Sequence, residues 1–243
     1  MADLFKVGTL IRIDIWSDVV CPWCWIGKHR FERGVAAMGE AAPSLEVHLH
    51  AFQLDPDAGI EPVPLREAYR SKFGSAERTE QILSQTQQTG RSEGLPFDFD
   101  RGQVRVSTLP AHRLIWLAAR EGDAAAVSEA LYRAHFAEGR NLADPQTLVD
   151  AGRTGGLSAE RVQAMLSSDE GLADVQAQIA RAGTLGITAV PSFVIDGRYL
   201  IQGAQPPEAF AQILAQVAAE QAQPGAADPA AGGQDCGPDG CPV

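Results

Sequence analysis

The chain has 243 residues, 45% of them hydrophobic, and carries a formal net charge of −11. That length is enough to bury a core and fits one large domain or a domain carrying an insertion. The acidic balance repels phosphate backbones and anionic headgroups at long range, so neither nucleic acid nor a membrane surface is an expected partner.

At the start, "MADLFKVGTLIRIDIW", Lys6, Arg12 and Asp14 interrupt every apolar run. Neither a secretory signal nor a membrane span is expected, and the expected location is the cytoplasm. There, paired cysteines are more often catalytic or metal-binding than structural. The chain holds four cysteines in two pairs, Cys21 with Cys24 and Cys236 with Cys241.

In chain order, "LIRIDIWS" alternates apolar and polar residues and predicts a strand, followed by the first cysteine pair and the helical pattern "CWIGKHRFERGVAAMG". "SLEVHLHAFQL" predicts a second strand, and such a unit favours a parallel pair with a right-handed crossover. From about Leu65 to Gly183 the segments are Ala-, Gln- and Arg-rich at helical spacing, without strand signals. Among them, "DPQTLVDAGRTGG" and "SAERVQAMLSS" open on capping residues. Two β runs then flank Asp196-Gly197 in "VIDGRYLI", a strong hairpin signal. "PPEAFAQILAQVAAEQ" predicts a helix, apolar at Phe210, Ile213, Leu214 and Val217. The remaining "AQPGAADPAAGGQDCGPDGCPV" is too poor in bulky apolar residues to offset its ordering entropy, and a flexible tail is expected. The expected organisation is an α/β domain over 1–64 and 184–221, an all-α insertion over 65–183, and a tail over 222–243.

A free cysteine is mostly thiol at neutral pH, whereas its thiolate is the nucleophile. With Cys21 as helix cap and Pro22 in the first helical position, the N–H groups of Trp23 and Cys24 and the helix dipole favour the anion at Cys21. Cys21 is then the expected attacking sulfur, and Cys24, three residues on and less exposed, the resolving one. A zinc site is the competing reading, but its second pair would stand roughly 15 to 20 residues on, not some two hundred.

Other residues carry weaker signals. His48 and His50 share one strand face without a visible third metal ligand, and His112 and His135 read as structural helix histidines. Asp14 and Asp18 are candidates to move protons near Cys24. Lys28 and His29 fall on the active-site helix, where solvated positions are the common outcome. Trp23 and Trp25 flank the pair and supply either a binding surface or core cover. No glycine-rich phosphate loop is present, so no nucleotide cofactor is expected.

Three stretches carry a resemblance. "IDIWSDVVCPWCWIGKHRFE", "TAVPSFVIDGRYLIQGAQ" and, in the helical block, "AHRLIWLA" with "FAEGRNLADPQTL" resemble the DsbA family of thioredoxin-fold thiol oxidoreductases, in particular its FrnE-like branch. The resemblance implies a thioredoxin fold, β-α-β then β-β-α, interrupted by the helices. It also implies a cis-proline at Pro191, with Val190 offering backbone hydrogen bonds to an extended substrate. Sequence alone would make that bond trans. Pro22, Trp23, Val190 and Pro191 are thus the expected substrate contacts. Related 2-hydroxychromene-2-carboxylate isomerases and kappa-class glutathione transferases use a serine near the place of Cys21, and this chain keeps both thiols.

The expected activity is thiol–disulfide exchange on proteins or small thiols, catalysed by Cys21 and Cys24 without a cofactor, with glutathione a candidate co-substrate. Four residues separate Cys236 from Cys241, and a Pro-Asp-Gly turn lets them close a ring. They are expected to relay electrons with the first pair, against the bland alternative of an isolated disulfide or metal scavenger. The competing functions are a glutathione-dependent isomerase or transferase on an aromatic substrate, and a thiol-based metal-binding protein. No heptad run speaks to the oligomeric state.

Overall fold

In the computed structural model, residues 10–222 are described. Cys236, Cys241 and the tail predicted around them lie outside the described residues.

The first strand, β1 (Leu10–Ser17), pairs in parallel with β2 (Ser44–Ala51) through helix α1 (Pro22–Ala37). β5 (Ser192–Ile195) runs antiparallel to the other edge of β1, and β6 (Tyr199–Gln202) closes the sheet in the order β2-β1-β5-β6. The Asp-Gly hairpin forms as its sequence predicts, with Asp196 at φ 53° and Gly197 at φ 67°, and the Arg198 N–H donates to the Ile195 carbonyl at 3.0 Å. Both central residues have the positive φ that a primed turn requires.

Alternation along β1 sends its residues to opposite faces. Ile11, Ile13 and Ile15 pack under α1 and α9 (Pro207–Ala222), around Phe31, Phe193 and Phe210. The Phe193 and Phe210 ring centroids lie 4.8 Å apart. Trp16 points the other way, toward Ala182 and Ile187, with its indole N–H on the Gln178 carbonyl at 3.3 Å. The predicted apolar stripe of α9 is buried at Phe210, Leu214 and Val217.

Between β2 and β5 run α2 (Leu65–Phe73), α3 (Ala76–Ser92), α4 (Leu109–Glu121), α5 (Ala124–Phe136), α6 (Pro145–Thr154), α7 (Ala159–Leu166) and α8 (Leu172–Thr184). Asp144 and Ser158 cap α6 and α7 by accepting from the Thr147 and Arg161 N–H groups, as those sequences predict. The stretch is not wholly helical. β3 (Val63–Pro64) and β4 (Val104–Arg105) form a short antiparallel pair, two residues each, too brief for any alternation to register in sequence. Helix α8 also lacks a side-chain cap, because Gly171 stands there at φ 75°. A Cβ at Gly171 would meet the Trp116 ring at 2.6 Å.

The largest core joins these helices to α1. Trp25 is fully buried against Phe97, Tyr132 and Phe136, with centroids 4.9 to 6.1 Å away. Burying a ring of that size stabilises the fold by about 1.5–3 kcal/mol.

Candidate active site

Cys21 caps α1 in extended geometry (φ −91°, ψ 112°), and Pro22 occupies the first turn as predicted. The Cys21 N–H donates to the Asp18 carbonyl at 3.0 Å, which turns the chain into the helix. The Cys24 N–H departs from expectation: it donates to the Cys21 carbonyl at 3.0 Å and so is spent within the turn. Both cysteines are free thiols and both are buried, Cys24 more deeply at 2% exposed against 4% for Cys21. The Cys24 thiol is pushed well above its ordinary pKa, first by burial and then by its hydrogen bond to Cys21 and the Cys21 and Asp18 charges. A backbone hydrogen bond from Asp18 opposes that rise. Cys24 therefore keeps its proton when a thiolate stands at Cys21.

Pro191 closes the site from the other side of the molecule. The Val190-Pro191 bond is cis, and the Cys21 Sγ lies 3.8 Å from the Val190 carbonyl oxygen. The Pro191 carbonyl accepts from the Gly203 N–H at 2.7 Å, which ties this loop to the end of β6. Gly27 makes the approach to α1 fit, because a Cβ there would stand 2.8 Å from Pro191 Cγ. Trp23 is 43% exposed beside the pair, while Trp25 is core.

Several groups gather around the thiols, and of these the sequence marked only Asp18 for a part in the chemistry. Asp18 is buried, accepts the Leu54 N–H on Oδ2 at 2.8 Å, and has Oδ1 3.3 Å from His112 Nε2. The Tyr132 phenol is driven well above its ordinary value by burial and then by the Cys24 charge, and the Tyr69 phenol up to about 12 by burial, Cys21 and Asp18. His135 is buried and held at about 4 by burial, partly countered by Asp18, so its ring is neutral near pH 7.

Asp14 is elsewhere. Arg12 (2.8 Å) and His50 (2.6 Å) hold its carboxylate, and their hydrogen bonds outweigh burial to keep its pKa low. His50 also stacks on Trp16 at 4.4 Å, and His48 pairs with Glu46 at 3.1 Å. Lys28 and His29 are not simply solvated. Both meet Glu129 of α5, at 2.9 and 3.2 Å, where the Trp25 indole N–H also donates at 3.0 Å. Among the described residues, no three His, Cys, Asp or Glu side chains are grouped to hold a metal ion, and no helix is long and apolar enough to cross a membrane.

A β2-β1-β5-β6 sheet with two thiols at the head of its first helix and a cis-proline loop against them defines a thioredoxin-fold dithiol protein. The model of the DSBA-like thioredoxin domain family matches residues 12–215, and the chain belongs to that family. A crystal structure of a probable DsbA oxidoreductase, SCO1869 from Streptomyces coelicolor, is 37% identical, covers 96% of this chain and 99% of its own, and superposes with a TM-score of 0.81. YwbO of Bacillus subtilis (strain 168) is 24% identical over 208 residues, 84% of this chain and 96% of its own. Two structures of the cytosolic disulfide reductase DsbM from Pseudomonas aeruginosa, the second with GSH, are 24% and 23% identical, with TM-scores of 0.56 and 0.55. Those two alignments cover 85% and 86% of this chain and 98% of DsbM.

Proposed function

We propose that the protein is a cytosolic thiol–disulfide oxidoreductase in which Cys21 attacks and Cys24 resolves. The Cys21 thiolate displaces one sulfur of a substrate disulfide, leaving a mixed disulfide at Cys21. Cys24 then gives up its proton and attacks the Cys21 Sγ. The second substrate sulfur leaves, and two electrons have passed from the dithiol to the substrate. The observation that carries this reading is Cys21 at the cap of α1, facing the Val190 carbonyl, with a more deeply buried and protonated Cys24 one turn behind it. An extended substrate would pair with the main chain at Val190 beside Pro191, a mode that tolerates many sequences. Trp23 and Pro22 would flank it.

Cys236 and Cys241 serve in this proposal as the pair that exchanges with the first. About 13 residues separate Ala222 from Cys236; a flexible chain of that length would span roughly 20 Å and would give a local concentration around the millimolar range. Glutathione, present in one structure of the related disulfide reductase DsbM, is a candidate electron donor.

The test is reduction of insulin disulfides by the full chain with dithiothreitol or glutathione, beside Cys21→Ser and the double variant Cys236→Ser, Cys241→Ser. Acceleration that disappears with Cys21→Ser supports the dithiol enzyme, and a slower double variant supports the relay. An intact protein that does not accelerate the reaction overturns the reading.

A further inference from the structure

A cleft of about 500 Å³ opens between the loop leading into Cys21 and the β3, α2 and β4 segments. Its walls are largely aliphatic, with Val20, Leu54, Leu65 and Val104, and its inner end is formed by Asp18, Tyr69 and His135. The volume lies within the range of roughly 300–1,000 Å³ typical of small-molecule sites and exceeds that of one side chain.

Three observations narrow the occupant. First, the rim charges offset one another: Arg105 grips Asp55 at 2.5 and 2.8 Å, and Lys72 and Glu67 supply one charge of each sign. Second, the buried Asp18 carboxylate at the inner end disfavours an anion there. Third, the buried Nδ1 of His135 has no hydrogen-bond partner among the described residues, in a side chain that lines the cleft. A buried polar atom of that kind is costly, and a turn of the His135 ring would bring it to a polar atom of a ligand in the cleft.

We propose that this cleft binds a small, neutral, largely apolar disulfide and presents it to Cys21. The inference rests on the dithiol function above and names a substrate class for it. Val20 lines the cleft one residue before Cys21, and Tyr69 lines it within electrostatic reach of the Cys21 sulfur. The Cys21 thiolate attacks one ligand sulfur and the first thiol leaves. Cys24 then attacks Cys21 and the second leaves, the two cysteine protons ending on the two released thiols.

Dipyridyl disulfide is a suitable probe, since its ring nitrogens accept a hydrogen bond from the Nδ1–H tautomer of His135. Stopped-flow reaction of the reduced full-length chain with it should saturate with concentration. Ala68→Trp, which places an indole in the cleft, should slow it about tenfold while hydroxyethyl disulfide changes less than about twofold. A rate that stays linear in dipyridyl disulfide, or two disulfides slowed alike by Ala68→Trp, overturns the proposal. His135→Phe, smaller in its disturbance, should weaken saturation by dipyridyl disulfide. Calorimetry of the Cys21→Ser chain with the carbon analogue, in which two methylenes replace the sulfurs, separates the two readings. No reaction of either disulfide at Cys21 fails the dithiol function. Reaction with both and no binding of the carbon analogue by the Cys21→Ser chain fails the cleft alone.

Discussion

Replacing Gly27 by alanine should destabilise the protein, although the same change in an open helical position stabilises. In a helix interior, alanine is favoured over glycine by roughly 0.5–1 kcal/mol. At Gly27 the new Cβ would stand 2.8 Å from the Pro191 ring and 3.4 Å from Ala204, about 1 Å inside ordinary carbon contact for the proline. Overpacking of that kind costs about 1–3 kcal/mol, so after the propensity gain the net loss is about 1 kcal/mol and at most about 2.5, at roughly 2–4 °C in melting temperature per kcal/mol for a chain of this size. Gly183, exposed in the last turn of α8 with nothing within 4 Å of its would-be Cβ, is the control. Gly183→Ala should raise stability by about 0.5 kcal/mol, less than mid-helix because the turn is terminal. Denaturant unfolding of both variants, followed by tryptophan fluorescence, reads the two signs. A Gly27→Ala protein stabilised to the same degree as Gly183→Ala would refute the argument, because it would mean that the Pro191 loop yields without cost.

Further outcomes are expected. Burial raises the Glu129 carboxyl, but the hydrogen bonds and charges of His29 and Lys28 outweigh it and hold it at about 2. Its contribution is therefore complete above its ordinary value and is lost as pH falls through about 2. Glu129→Gln should cost about 1–2 kcal/mol at pH 7, after allowance for partial exposure, and the gap to wild type should close toward pH 2 in acid unfolding curves. A gap independent of pH would count against the ion cluster. Within the Cys21–Cys24 pair, iodoacetamide at pH 8 should label the reduced protein at Cys21 and not at Cys24 by peptide mass mapping, because Cys24 is buried and holds its proton. Equal labelling of both thiols would contradict that assignment. Asp18→Ala should cost about 3 kcal/mol or more by stranding the Leu54 N–H and His112, whereas Asp18→Asn, which keeps an acceptor, should cost visibly less.

What the sequence revealed and what it hid divide along a physical line. Local chemistry was legible: the two thiols and proline at a strand-to-helix junction, the Asp-Gly hairpin, and the capping residues Asp144 and Ser158 all act within a few residues of themselves. The surroundings of Cys24 were not. His112, Tyr132 and His135 arrive from helices about a hundred residues away, and helical spacing alone made the two histidines look like ordinary core members. Asp14 and Asp18 stand on nearly the same local footing in sequence, yet Arg12 and His50 take up one, and only packing turns the other toward the thiols. The two-residue β3 and β4 carry too little pattern to be read before the chain folds.

The meeting of Trp25, Lys28 and His29 at Glu129 has a mechanical consequence. Three side chains from one turn of α1 are bolted to one residue of α5, so the active-site helix and the helical block tilt as one piece or not at all. A swinging lid hinged between them would have to break that bolt at every turnover. Molecules reaching Cys21 should instead enter sideways, past the short β3 and β4 pair, and protection of α1 and α5 amides from hydrogen exchange should rise and fall together.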